Sequence, residues 1–435
     1  SSGTKILYLD NLGGNAGDLT RDDPATITDS RTANLNGNGE SADFNLTPDF
    51  QDDFTISAGT INALIGFERN NNGGSRTVLI ELYKVSGGNT LIASDSTTFN
   101  IGPNQGNTTL IPFDFTLASA VSFTATDGLM MRVTNTTGPS NNRVRVHSNR
   151  NGLSVIPFDT TTVINLDEVG IYAEASPSIT QYKSYLPGST VYLRAKVSDP
   201  FGYADIDSVD FTVTNPLSTQ VFSTNISSPV ANPAAAGAIA VFETPYTIPA
   251  SPDGIWSVGF TANEGSEGTV THSSTADMII GTPTLTVSKN YSQTLFDPVN
   301  TSNYKAIPNS IVEYSVGVVN SGYGYVDINT IVLSDTIAAG TTFYFGSPLN
   351  PATFVDGLTA SGLSFTFTSL ASTVDDIDFS NDGGATYITP TVDANGFDTT
   401  SPPINYIRLS PKGEFRGSDG ANDPSMQINF RVRLE

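Results

Sequence analysis

Cysteine is absent from all 435 residues, so no disulfide, thiol nucleophile or thiolate metal site can form. Only two histidines occur, which leaves little material for a zinc site or for imidazole-based catalysis. A single tryptophan means that any sugar-stacking cleft would rest on tyrosine. Charge is sparse: Asp, Glu, Lys and Arg make up 14% of the chain, against the usual ~25%. What charge there is has mostly one sign. Forty-three acids against 20 Lys and Arg give a net charge of -23. That balance argues against nucleic acid, whose phosphates need clustered cations, and against anionic membrane surfaces. Long apolar runs are also missing. The best stretch, from Val230 to Phe242, is interrupted by Pro233 and is too short to cross a bilayer, so no membrane insertion is expected.

The remaining polarity comes from Thr, Ser, Asn and Gly, the uncharged residues of strands and turns. Alternation is everywhere and helical periodicity almost nowhere. At the C-terminus Met426, Ile428, Phe430, Val432 and Leu434 share one face, while Gln427, Asn429, Arg431 and Arg433 share the other. That is a half-buried strand at period two. Turn clusters such as Asn70 to Gly74, Gly87-Gly88-Asn89 and Asn381 to Gly384 punctuate similar runs. An all-β chain of tandem β-sandwich modules is expected, at about 150 residues per domain. Pro177 and Pro283, each following a strand and preceding another, mark the seams. They divide the chain into a jelly-roll-like module (1–175), an immunoglobulin-like module (176–282) and a larger β-sandwich (283–435).

The third segment carries the most specific pattern. Thr284 to Lys289 opens it, and Ile307-Pro308-Asn309-Ser310-Ile311-Val312-Glu313-Tyr314 follows. Then come Asn320-Ser321-Gly322, Val332-Leu333-Ser334-Asp335 and Gly340-Thr341-Thr342-Phe343. This order resembles the conserved repeat domain of unknown function found in large bacterial and archaeal surface proteins. Asn309 stands where that family has Gly, and Ala338 where it has Pro. The resemblance implies an immunoglobulin-like surface module and no catalytic residues. The middle segment, with Pro187-Gly188-Ser189-Thr190-Val191-Tyr192 and Gly254-Ile255-Trp256, resembles generic bacterial immunoglobulin-like modules.

Several places could carry chemistry. Asp375, Asp376, Asp378, Asn381 and Asp382 gather hard oxygens beside a Gly turn, the chemistry that Ca²⁺ prefers. The alternative is a structural hairpin turn, with Ile377 and Phe379 as its apolar face. Weaker calcium candidates are Asp393 to Asp398, Asp18 to Asp23, and Asp199 with Asp205 and Asp207. His147 shares a strand face with Arg143 and Arg145 and reads as solvated. Neither it nor His272 has a Gly-x-Ser-x-Gly elbow to serve, so an enzyme is not expected. Sequons at Asn107, Asn135 and Asn225 would admit glycans.

Ile6, Leu7, Tyr8 and Leu9 form a strand apolar on both faces at the start of the chain. Such a strand either pairs at home or completes a neighbour's sheet. Together these features suggest a secreted, extracellular or cell-surface structural protein. Its partners would be copies of itself, joined by sheet edges and head-to-tail contacts into a filament or layer. The alternative is an adhesin binding surface glycans through the first module. No cofactor is expected beyond possible calcium. If the protein is secreted, its numbering starts after a removed signal peptide.

Overall fold

The computed structural model describes residues 3–13, 16–21, 32–70, 74–101, 108–148, 152–160, 163–231, 237–264 and 270–435. The chain is all-β, in three tandem modules, each with its own buried core. Alternation does most of this. In Gly74–Val85, for example, Val78, Ile80 and Leu82 are buried at every second position, which commits one face of the strand to the interior.

Among the described residues, the first module is a single hydrogen-bonded network of thirteen strands wrapped around one core. Its opening strand, Gly3–Gly13, is an inner member, pairing antiparallel with Val155–Thr160 on one side and Ala16–Thr20 on the other. The described residues of the middle module form a seven-stranded sandwich. Asn165–Tyr172, Thr190–Ser198 and Ile239–Thr247 form one sheet. Gln220–Ile226, Ile206–Thr214, Gly254–Glu264 and Thr271–Ile280 form the other. Trp256 is buried between them and donates its indole N–H to the Pro252 carbonyl at 3.1 Å. Tyr185 is also buried, its hydroxyl donating to the Ile171 carbonyl at 2.7 Å.

The first seam moves. The strand ending at Tyr172 pairs with Thr190–Ser198, and Val163, Ile164 and Ile171 pack in the second core. The middle module therefore begins before Pro177, because that strand's apolar face is covered only by the second sandwich.

In the third module Leu285–Phe296, Ile311–Asn320, Ser425–Leu434 and Thr341–Tyr344 form one sheet. Leu333–Thr336, Tyr406–Leu409 and Ile377–Ser380 form the facing one. Asn309 sits at φ 68, a left-handed turn conformation that Asn tolerates almost as Gly does. Asn320 is fully buried and fully used. Its Oδ1 accepts from Thr284 N and Gly322 N, and its Nδ2 donates to the carbonyls of Gly324 and Arg416, all at 2.8–3.1 Å. The Asn-x-Gly turn thus pins the start of the module to its far end.

Both junctions are packed. Phe201, from the middle module, sits in the first core against Phe50 (5.4 Å) and Phe54 (5.0 Å). Gln51 N donates to the Pro200 carbonyl at 2.7 Å. At the second junction Tyr325 N donates to Ser184 Oγ at 2.9 Å.

Candidate functional site

The most unusual chemistry lies under the first junction. Lys5, Leu7 and Leu9 share the inward face of the opening strand, and all three are completely buried. Period two thus sends a lysine into the interior beside two leucines. Three acids from the middle module meet it there. Asp199 and Asp205 flank the loop between Thr190–Ser198 and Ile206–Thr214, and Glu264 ends Gly254–Glu264. Gly202, at φ 103, supplies the bend that an L side chain would resist and lets the loop present Phe201 and Asp205 together.

Lys5 Nζ donates to Asp205 and to Glu264, the latter at 2.6 Å, and lies 4.8 Å from the centre of the Phe201 ring. Arg21 Nε is 3.4 Å from Asp205 Oδ1, and its guanidinium donates to the Phe201 carbonyl at 3.1 Å. Asp199 Oδ1 accepts from Phe201 N at 2.7 Å. Asp199 Oδ2 and Glu264 Oε2 are buried without a hydrogen-bond partner. Three carboxyl groups face two cations, so one proton would make the cluster neutral. Consistent with this, burial and then the charge of Asp205 raise the Asp199 carboxyl well above the usual range. Burial and then Asp199 do the same to Glu264.

Asp199, Asp205 and Glu264 have ligand atoms within 4.8 Å of one another, and they are the only acid or His group of this kind among the described residues. The sequence pointed to Asp199 with Asp205 and Asp207. Asp207 is exposed, and Glu264, distant in sequence, takes its place. These three carboxylates could hold a cation, and the Lys5 ammonium already contacts two of them, Asp205 and Glu264. Nothing local in the sequence marks Glu264 or Lys5; the one available signal was a lysine at the buried phase of an apolar strand.

The acid-rich stretch at 375–382 is arranged differently. Asp375 accepts from the backbone N–H groups of Thr368 and Ser369 and from the Thr368 hydroxyl. Asp376 accepts from Thr366 N at 2.6 Å. Asp378 binds Arg408 at 2.8 Å across the strand pair. Asn381 donates to the Pro402 carbonyl at 3.1 Å. Asp382 accepts from Ser380 and Thr386. Each side chain caps or pairs locally, and no three of the aspartates converge. Asp393 and Asp398 likewise accept from nearby backbone N–H groups. Of the Asp18 to Asp23 candidate, Asp22 and Asp23 lie outside the described residues, as does Asn107.

Ile6, Leu7, Tyr8 and Leu9 are paired within their own chain, Ile6 opposite Pro157 and Tyr8 opposite both Val155 and Thr20. The exposed strand is elsewhere. Leu285–Phe296 is hydrogen-bonded on one side only, and none of its twelve residues is buried. Leu285 (42%), Val287 (58%), Tyr291 (54%) and Phe296 (47%) are open to solvent. At its centre Lys289 reaches Asp335 at 2.7 Å and lies over the Tyr314 and Phe430 rings. Asp335 belongs to Leu333–Thr336, the edge of the facing sheet, so this ion pair ties two edges across an open flank.

His147 is buried rather than solvated. Strand pairing places it opposite Gly66, and its Nε2 lies 2.6 Å from buried Glu68. His272 Nδ1 accepts from Leu166 N at 2.9 Å, and burial holds its pKa below the ordinary value. Asn135 is buried, with its amide donating to the Leu35 and Asn142 carbonyls, so that sequon is closed in the folded chain. A cleft of about 520 Å³ between the second and third modules is lined by Tyr182, Tyr185, Tyr325, Asp327 and Glu414, among others. Among the described residues, no helix is long and apolar enough to cross a membrane.

No family model and no curated protein matches the chain. Among solved structures it is similar to a CocE/NonD family hydrolase of Staphylococcus aureus, at 10% identity and TM-score 0.29. The match covers 37% of this chain and spans 37% of that hydrolase. An aminopeptidase from a marine sediment Thaumarchaeota archaeon gives 10% identity, TM-score 0.31 and 37% of each chain. A Corynebacterium diphtheriae protein described as membrane-anchored gives 10% identity and TM-score 0.20, over 100% of this chain and 89% of that one. At these values the likenesses carry no argument about activity.

Proposed function

We propose that the chain is a secreted, non-enzymatic structural subunit that joins copies of itself at the cell surface or in an extracellular filament. The observation that carries this reading is the bare edge at Leu285–Phe296. A long strand with unpaired N–H and C=O groups and exposed apolar side chains is a template for another strand. Natural sheets usually guard such an edge with charge. Here the strand's one cation, Lys289, is turned onto Asp335. The occupant proposed is a strand of a second copy, which would cover Leu285 and Val287 and close the flank.

The packed junctions support the same reading, since modules that share a core transmit force as one body. The opening strand fits it less well as the donated element. Withdrawing it would expose Leu7 and Leu9 and leave Asp205 and Glu264 without Lys5. The third module's pattern adds the surface-protein resemblance as a further support.

Sedimentation and electron microscopy test the proposal. The full chain is expected to form oligomers or filaments whose growth depends on concentration. Val287→Lys, which adds a second edge charge and leaves the core untouched, is expected to abolish them. A wild-type chain that remains monomeric at high concentration would overturn the reading.

A further inference from the structure

We propose that the first junction is closed covalently, by an amide that the chain forms between Lys5 Nζ and the side-chain carboxyl of Asp205. The argument is geometric and holds whether or not copies of the chain polymerise. Condensing an ammonium with a carboxylate requires an amine in contact with the carboxyl carbon's oxygens, a neighbouring acid to move protons, and a dry site. All three are present. Lys5 is completely buried and hydrogen-bonded to Asp205. Glu264 Oε1 lies 2.6 Å from the same nitrogen, and its other oxygen has no hydrogen-bond partner. Phe201 covers the amine at 4.8 Å, with Phe50 and Phe54 packed behind it.

The steps balance without any further reactant. Glu264 takes a proton from the Lys5 ammonium and relays it to the Asp205 carboxylate. A dry, aromatic-walled site favours this neutral amine and acid over the ion pair. The Nζ lone pair then attacks Cγ of Asp205, forming the C–N bond and placing negative charge on the former carbonyl oxygen. Arg21, 3.4 Å from Asp205 Oδ1, is placed to stabilise that charge. Glu264 removes a second proton from nitrogen and delivers it to the departing hydroxyl. The C–O bond breaks, and water leaves. Of the three ammonium protons, one stays on the amide and two depart in the water. Burial first, and then neighbouring Asp199, raise the affinity of Glu264 for the proton it must carry.

The same arrangement also distinguishes this lysine from Lys289. That amine also contacts an aspartate, but it is 39% exposed. Water would solvate both ions and stop the reaction at the ion pair.

Mass spectrometry of the purified full chain decides the matter. The folded wild type is expected to be lighter than its sequence by one water. Digestion is expected to leave Lys5 uncleaved by trypsin and joined to the peptide that contains Asp205. Glu264→Gln keeps the shape and a hydrogen bond but cannot shuttle protons, and it is expected to retain the full mass while folded by circular dichroism. Lys5→Arg is expected to retain it too. A folded wild type of full mass, with or without a bound divalent cation in native spectra, would overturn the proposal. So would a water loss confined to a single peptide, the mark of a cyclised Asp or Asn, instead of a link between two.

Discussion

Lys5 and Lys289 are both held against aspartates, and they do different work. Lys5 is sealed under an aromatic roof, shared by two hydrogen-bonded acids, and joins two modules. Lys289 bridges two edges of one module in view of solvent. Both make short contacts of the same type. The difference is water. In the interior a lone charge is very unfavourable, so a broken pair is severely penalised. At the surface the same pair contributes little, because solvent screens it and replaces lost contacts. Distance between charged atoms therefore says less about what a pair does than the burial of its surroundings.

Lys5→Ala is expected to give the largest effect. It strands Asp205 and Glu264 in the core, and loss of one partner of a buried pair costs about 3–5 kcal/mol. Equilibrium denaturation would show it, with the first and second modules losing their shared transition. An effect under about 1 kcal/mol would place Lys5 in the same class as Lys289.

Phe201→Ala comes next. It removes a ring from a foreign core and is expected to cost about 3 kcal/mol, read by the same denaturation experiment and by faster proteolysis at the junction. If stability were unchanged, the two modules would be merely adjacent.

The third test uses pH and predicts opposite signs for two acid regions. Glu264 and Asp199 have raised pKa values, chiefly through burial. The folded state therefore holds protons that the unfolded chain releases above ~4. Their contribution favours folding in acid and is lost as pH rises through neutrality into the alkaline range. Asp382 is lowered to about 2, first by the Thr386 hydroxyl. Asp375 is also lowered to about 2, where burial pushes up but bonds from Thr368 outweigh it. Their contribution is present above ~4 and lost as pH falls towards 2. Thermal melts of Glu264→Gln and Asp382→Asn across pH are expected to flatten the alkaline and acid limbs respectively. Flattening of the same limb by both would erase the contrast.

The smallest effect is expected from Lys289→Ala in the unassembled chain, under about 1 kcal/mol and weaker still in salt. A loss comparable to that of Lys5→Ala would show that the open flank is closed in solution by something that buries the pair.

The sequence shows strands more readily than it shows neighbours. Alternation in Met426 to Val432 placed that strand correctly, because burial on one face of a sheet imposes period two whatever lies opposite. The Asn320 turn and the left-handed Asn309 were visible for the same local reason. His147 was misread as solvated, since two arginines beside it in sequence say nothing about the Glu68 strand that covers it. The aspartates at 375–382 were readable either as calcium ligands or as a structural turn, because which neighbouring groups they hydrogen-bond is a matter of loop conformation, invisible in composition. The strand ending at Tyr172 was assigned to the wrong module because a proline marks a break in pairing without saying which core a strand joins.

What the amino-acid order determined alone is the all-β class, the positions of most strands and the absence of thiol chemistry. These follow from side-chain size, polarity and period, which act over a few residues. Tertiary structure alone decided that Lys5 meets acids some two hundred and more residues away, that Phe201 belongs to another module's core, and that Leu285–Phe296 is left without a neighbour on one side. Those outcomes depend on which surfaces exclude water from which, and that is settled only when distant strands pack.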